Sequence, residues 1–174
     1  KNSVKRIIVA RDLLESVLTR AKIEEDDYKV LTTIKGKHLE LQKLMHPLYN
    51  KEVPLILGDH VTLEAGTGCV HTAPAHGQDD YAIGLKYKLA VENPVGSNGC
   101  FLPSVELVAN LHISKANPIV IEALTANDRL LCSEELSHSY PHCWRHKTPL
   151  IFRATPQWFV SMEKQGLRDK ALAA

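Results

Sequence analysis

Residues 66–81 read GTGCVHTAPAHGQDDY, and the rest of the chain is best understood outward from them. Gly66, Gly68 and Gly77 allow backbone conformations that a Cβ resists, and they let another molecule come close to the main chain. Pro74 fixes one φ angle midway, which keeps His71 and His76 from sharing one helical face. Two histidines and two adjacent carboxylates, Asp79 and Asp80, therefore sit in a glycine-punctuated loop. The carboxylates precede residues 81–87, whose spacing predicts a helix that offers its free amides at the same end.

On the amino-terminal side, residues 4–10 are β-branched and short, which predicts a strand. Asp12 is placed to cap a helix through Leu13, Leu14, Val17 and Leu18. Residues 28–35 read as a second strand, Gly36 as its turn, and 38–44 as an extended or short helical segment ending at His46-Pro47. The apolar run 53–57 stops at Gly58-Asp59, and 61–64 predicts a short strand leading into the motif. Beyond the motif, residues 94–99 form a turn cluster suited to a hairpin tip, and Asn117-Pro118 opens a helix through Ile119, Val120, Ala123 and Leu124. Periodicity alone reaches a mixed α/β domain, with no repeat or heptad pattern.

Composition narrows the function classes. With 174 residues the chain can bury one core. Its net charge of +1 gives no bulk argument for nucleic acid, so any such contact must be local. There is no apolar run of roughly 18 residues and no signal-peptide pattern, which excludes a helical membrane span and points to the cytoplasm. Cys69, Cys100, Cys132 and Cys143 are widely spaced without a Cys-x-x-Cys pair, and read as reduced thiols. The chain starts at Lys1 and ends in Ala-Leu-Ala-Ala174, which reads as a piece cut from a longer polypeptide.

The motif, with VPLILGDHVTLEA at 53–65 ahead of it and SYPHCWRHKTPLIFRATPQWFVSM at 139–162 behind it, resembles the editing domain of bacterial isoleucyl-tRNA synthetases. His71-Thr72-Ala73 favours these over the related valyl and leucyl enzymes. The resemblance implies a curved, barrel-like mixed sheet with peripheral helices. It also implies a partial editing domain over 1–138 and, over 139–174, a segment returning to the catalytic Rossmann domain. The implied activity is hydrolysis of the ester in mischarged valyl-tRNA, within an ATP-dependent ligase for isoleucine. The implied partners are the acceptor end of tRNA(Ile), valine and the remainder of the synthetase. No cofactor is expected in this chain; ATP and magnesium belong to the intact enzyme, as does zinc where a second Cys-x-x-Cys complements Cys143 and His146.

Such editing answers a physical limit. An apolar pocket separates amino acids differing by one methylene by only about 1–3 kcal/mol, an established figure for isoleucine-specific synthetases that is taken as given. A second, narrower pocket then admits valine and excludes isoleucine. By resemblance Asp80 anchors the substrate ammonium through a charge-assisted hydrogen bond, and His71 walls the side-chain pocket. Thr72 bonds substrate or water, His76 steadies the loop or meets the terminal ribose, Tyr140 reaches the pocket, and Gly66 and Gly68 shape its rim. Asp79 faces the helix start.

Competing readings attach to the same residues. An Asp pair at a helix start is commonly a cap and a solvated charge, and a loop histidine is commonly bonded to backbone. His71, His76, Asp79 and Asp80 also read as ligands of a metal-dependent hydrolase. Cys69 is the one candidate nucleophile beside the motif, without an evident base. A module that binds the acceptor end, or merely bridges two halves of a larger protein, is the non-enzyme alternative. Finally, relatives carry a Thr-Thr-Pro-Trp-Thr-type strand across the pocket. Thr32 and Thr33 lack the Pro-Trp that follows, so the isolated chain is expected to hold half a site and to deacylate weakly. Trp144, Trp158 and Phe159 are then expected to form an exposed patch.

Overall fold

The computed structural model describes residues 5–174. Val4, the first residue of the amino-terminal strand expectation, lies outside them. The described chain mixes helices with sparse sheet: α1 (Leu14–Ala21), β1 (Lys43–Met45), β2 (Glu52–Pro54), α2 (Gln78–Lys86), α3 (Ala116–Ala126) and α4 (Leu167–Ala173), joined by short 3-10 turns.

Helix α1 forms because Leu14, Val17, Leu18 and Ala21 recur at one-face spacing, and Val17 and Leu18 are buried together with Leu13 before them. Its start differs from the expectation. Asp12 lies inside a 3-10 turn, Arg11–Leu13, and no side chain caps either that turn or α1. At its end Lys22 turns left-handed at φ 55°, and Ile23 N–H reaches back to the Leu18 carbonyl at 3.0 Å. Helices α2 and α3 close in the same manner. Lys88 and Asp128 each take φ 55°, with Leu89 N–H on Gly84 O and Arg129 N–H on Leu124 O, both at 2.8 Å.

Among the described residues the sheet is a single antiparallel pair, β1 with β2, in the register Lys43↔Pro54, Leu44↔Val53, Met45↔Glu52. Isolated bridges add Val95↔Phe101, Cys100↔His112 and His142↔Pro149. The barrel-like sheet expected from the resemblance is thus not present as a closed structure here. A closed sheet requires each strand to be paired on both edges. The segments expected as strands at 5–10, 28–35 and 61–64 run without regular structure, and Val30, Leu31 and Ile34 in the second of them are exposed. The mixed α/β character stands. The hairpin tip at 96–99 also forms, with Gly96 N–H on Cys100 O at 2.8 Å and Gly99 at φ 74°.

Two sets of contacts position the motif. Tyr87, just past α2, donates its hydroxyl to Glu40 at 2.5 Å and accepts the Leu57 amide at 3.3 Å, which fixes the hairpin against α2. From the other side, residues 152–154 dock on the loop: Ala154 N–H donates to Ala75 O at 2.7 Å, and Asn93 Nδ2 donates to Ala154 O at 2.8 Å. Ala75 is buried between these neighbours. Trp144, Trp158 and Phe159 are exposed, Trp158 completely. No helix of the described residues is long and apolar enough to cross a membrane.

Candidate functional site

The site is built from the turn upward. Gly66 and Gly68 take φ 76° and 77°, the left-handed region that a side chain resists. At Gly68 space is also lacking, since a Cβ there would stand 2.5 Å from the Cβ of Ala10. That approach is what allows Ala10 N–H to bond Thr67 O at 2.8 Å, fastening the motif to the amino-terminal segment. The Cys69 residue is exposed, but its sulfur lies 3.8 Å from the Ile8 carbonyl, and partial loss of hydration there pushes the thiol pKa up. A raised pKa reduces the thiolate fraction, which argues against Cys69 as a nucleophile.

Asp80 closes the loop. It stands in the first turn of α2, three residues after the N-cap Gly77, and its Oδ1 accepts the Ala73 amide at 2.8 Å. Its Oδ2 lies where a Gly77 Cβ would come within 2.0 Å, so Gly77 must be glycine for the carboxylate to lie there. The carboxylate thereby shares an end of α2 that favours negative charge, and one oxygen remains without a hydrogen-bond partner among the described residues. Asp79 is exposed beside it. On the next turn Gly84 packs against Pro74, whose ring carbons lie 2.8 and 2.9 Å from a Cβ built there.

His71 is exposed and Thr72 half-buried, and neither side chain hydrogen-bonds another described residue. His71 has an electrostatic neighbour in His46, at the end of β1. Loss of hydration, then the charges of His71 and Lys51, hold the His46 imidazole below its ordinary range. The ring also accepts through Nδ1 from Leu48 and Tyr49 N–H, both at 3.1 Å, which places its proton on Nε2. His46 was legible in the sequence only as the start of a His-Pro turn.

His76 faces the other way. Its Nδ1 lies 2.9 Å from the Phe152 carbonyl, an acceptor only, so Nδ1 carries the proton and Nε2 is left with a lone pair. Nε2 is buried and unbonded among the described residues. Phe152 in turn meets Tyr140 edge-on, ring centres 6.4 Å apart, and Tyr140 donates to Leu150 O at 2.9 Å. Tyr140 is thus linked to His76 through Phe152. Asp80, in the first turn of α2, is thus tied through the Ala73 amide to the loop that carries His71 and Thr72, Gly66 and Gly68 lie at the start of that loop, and His76 turns towards the carboxy-terminal segment.

Metal ligation is limited to a fragment. Cys143 Sγ and His146 Nδ1 are 3.5 Å apart on a tight knuckle, in which Cys143 N–H donates to Thr148 O at 2.8 Å. Structural zinc takes four such donors, and two do not satisfy it. Among the described residues no three His, Cys, Asp or Glu side chains are grouped to hold a metal.

The chain is 58% identical over 167 residues to the isoleucine–tRNA ligases of Photobacterium profundum and Aeromonas salmonicida, matching 96% of this chain and 17% of each relative. The isoleucine–tRNA ligase of Nitrosococcus oceani is 55% identical over 168 residues, 97% of this chain and 18% of its own length. The chain therefore spans less than a fifth of the relatives it matches. Residues 5–122 match the family described as leucyl-tRNA synthetase, editing domain. With more than half of its length so matched, the chain belongs to the editing-domain family of leucyl-tRNA synthetase type.

Proposed function

We propose that this chain is the editing part of an isoleucine–tRNA ligase and that its site hydrolyses the ester of valyl-tRNA. One observation carries the proposal: the Asp80 carboxylate, seated on the Ala73 amide at 2.8 Å, keeps a second oxygen for a cation in the loop that holds His71 and Thr72. The ammonium of an aminoacyl ester is such a cation, and its charge-assisted bond orients the ester relative to the loop. His71 bounds the space for the side chain, so that valine enters and isoleucine clashes. Thr72 offers a hydroxyl to substrate or water, and Tyr140, through Phe152, buttresses the side on which His76 lies. Gly66 and Gly68 let the acceptor end approach the main chain. Water held between this loop and a ribose hydroxyl attacks the carbonyl, and positioning supplies much of the rate.

In this reading residues 1–138 form part of the editing domain, and 139–174 lead towards the catalytic body of the longer protein. That body uses ATP and magnesium and works in the cytoplasm, while a threonine-rich strand elsewhere in the longer protein supplies the wall opposite His71. The chain alone then deacylates weakly.

The test is deacylation of valyl-tRNA and isoleucyl-tRNA by the full-length protein. Asp80→Ala is expected to slow valine clearance about 10- to 150-fold, the range for a hydrogen bond to a charged group. His71→Ala is expected to start destroying isoleucyl-tRNA. If both variants clear valine and spare isoleucine as the parent does, the loop is structural and the reading fails. Binding of tRNA without turnover in the parent protein would select the acceptor-end module instead.

A further inference from the structure

Beside the motif loop lies a cleft of about 500 Å³, whose walls include Tyr81, Val95, Leu102, Arg153, Thr155 and Pro156. Arg153 is its single charged lining residue, and no carboxylate faces it there. The Arg153 Nε is buried without a hydrogen-bond partner among the described residues. Among the described residues no hydrogen bond or ion pair engages the rest of the guanidinium either, so its charge is left for a partner in the cleft. The arginine is also held in place. On one side of it Phe152 O lies 2.9 Å from His76 Nδ1, and on the other Ala154 bonds Ala75 and Asn93 at 2.7 and 2.8 Å.

We propose that this cleft binds a phosphodiester of the tRNA acceptor end on Arg153. A guanidinium with open donors matches phosphate geometry. The Tyr81 ring, with Val95, Leu102 and Pro156, supplies the apolar surface that the flat face of a nucleotide base requires. Thr155 Oγ1 already accepts from Gln157 at 2.9 Å, which leaves its hydroxyl hydrogen to donate to an anion. The position fits the reaction as well. Tyr81 follows Asp80 directly on α2, so a phosphate anchored here fixes the strand that carries the ester. The inference rests on the reading of the chain as a tRNA-editing domain.

The experiment compares two substrates in the full-length protein. Arg153→Ala is expected to raise KM for valyl-tRNA about tenfold or more, with kcat little changed. Its log–log salt dependence of tRNA binding falls by about one charge. The valyl ester of adenosine, which has no phosphate, is cleaved equally by parent and variant. Arg153→Lys keeps the positive charge and hence the salt slope, and raises KM by less. An unchanged salt slope in Arg153→Ala, or equal losses on both substrates, overturns the proposal and assigns Arg153 to an ion pair within the longer polypeptide. If the parent leaves valyl-tRNA intact, the editing reading falls, while the salt slope still decides whether Arg153 holds phosphate.

Discussion

His46 shows how a single side chain can fasten a turn and answer to the site at once. Its Nδ1 takes two backbone N–H groups, so protonation there would set a donor against two donors. A free imidazole titrates near 6.5. In the folded chain the value is lowered by burial and by the neighbouring charges of His71 and Lys51. The unfolded chain therefore binds a proton that the folded one refuses. Stability from this group is fully present above about 6.5 and is lost as pH falls through the folded value. His46→Asn retains an acceptor for the turn without titrating. The Tm of the parent is expected to drop more than that of the variant between neutral pH and about pH 5, and the His46 ring to titrate below 6.5 by NMR. Equal declines, or a midpoint above 6.5, would remove the linkage. Asp80 and the glycine turn were readable from residue types, because carboxylates at helix starts and glycines in tight loops have local causes. His46 was readable only as a turn, because its tie to His71, like the cleft around Arg153, depends on residues distant in sequence.

At the scale of elements, α2 carries two opposite instructions within five residues. Gly84 in its interior lacks helix propensity, and exchanging an interior glycine for alanine usually gains about 1 kcal/mol. Here the added Cβ would meet Pro74 ring carbons at 2.8 and 2.9 Å, and a proline ring tied to the backbone has little room to yield. Overpacking of this kind costs about 1–3 kcal/mol, so the clash outweighs the propensity gain. Lys88 presents the reverse case: its φ of 55° closes the helix through Leu89 N–H on Gly84 O, in a conformation costing a side chain roughly 1–2 kcal/mol. Lys88→Gly is expected to raise unfolding stability by up to about 1 kcal/mol, and Gly84→Ala to lower it and to impair editing, read by denaturant midpoints and deacylation. A stabilised Gly84→Ala with full activity would show that α2 shifts freely on the loop. These ends also explain what pattern reading found. Helices α1, α2 and α3 were visible in apolar spacing, whereas their stops were hidden, because Lys22, Lys88 and Asp128 occupy positions where glycine is the usual sign. The expected strands failed for a different reason: β-branched runs at 5–10 and 28–35 specify extended backbone but not a partner.

For the molecule as a whole, the balance of apolar surface matters more than any one element. Among the described residues the buried apolar set is small, Leu13, Val17, Leu18, Ala75, Ile83, Val95, Val108 and Ala116, and five of these eight are alanine or valine. Against it stand Trp158, Phe159 and Val160, exposed at 101%, 89% and 74% in one continuous stretch. An exposed apolar run of this kind marks a surface that another body covers. The relatives are more than five times the length of this chain, which spans 17% of them, so the covering body is expected to come from the same polypeptide. Trp144 and Trp158 are the chain's two tryptophans, and both are exposed. The isolated chain is therefore expected to emit as solvated indole, to quench readily with acrylamide and to bind an apolar dye. In the full-length protein the emission lost on Trp158→Phe should be blue-shifted and shielded from quencher. Equal quenching of Trp158 in both settings would mean that the stretch stays open to solvent in the intact protein, and residues 139–174 would then lose their assignment as a path to the catalytic body.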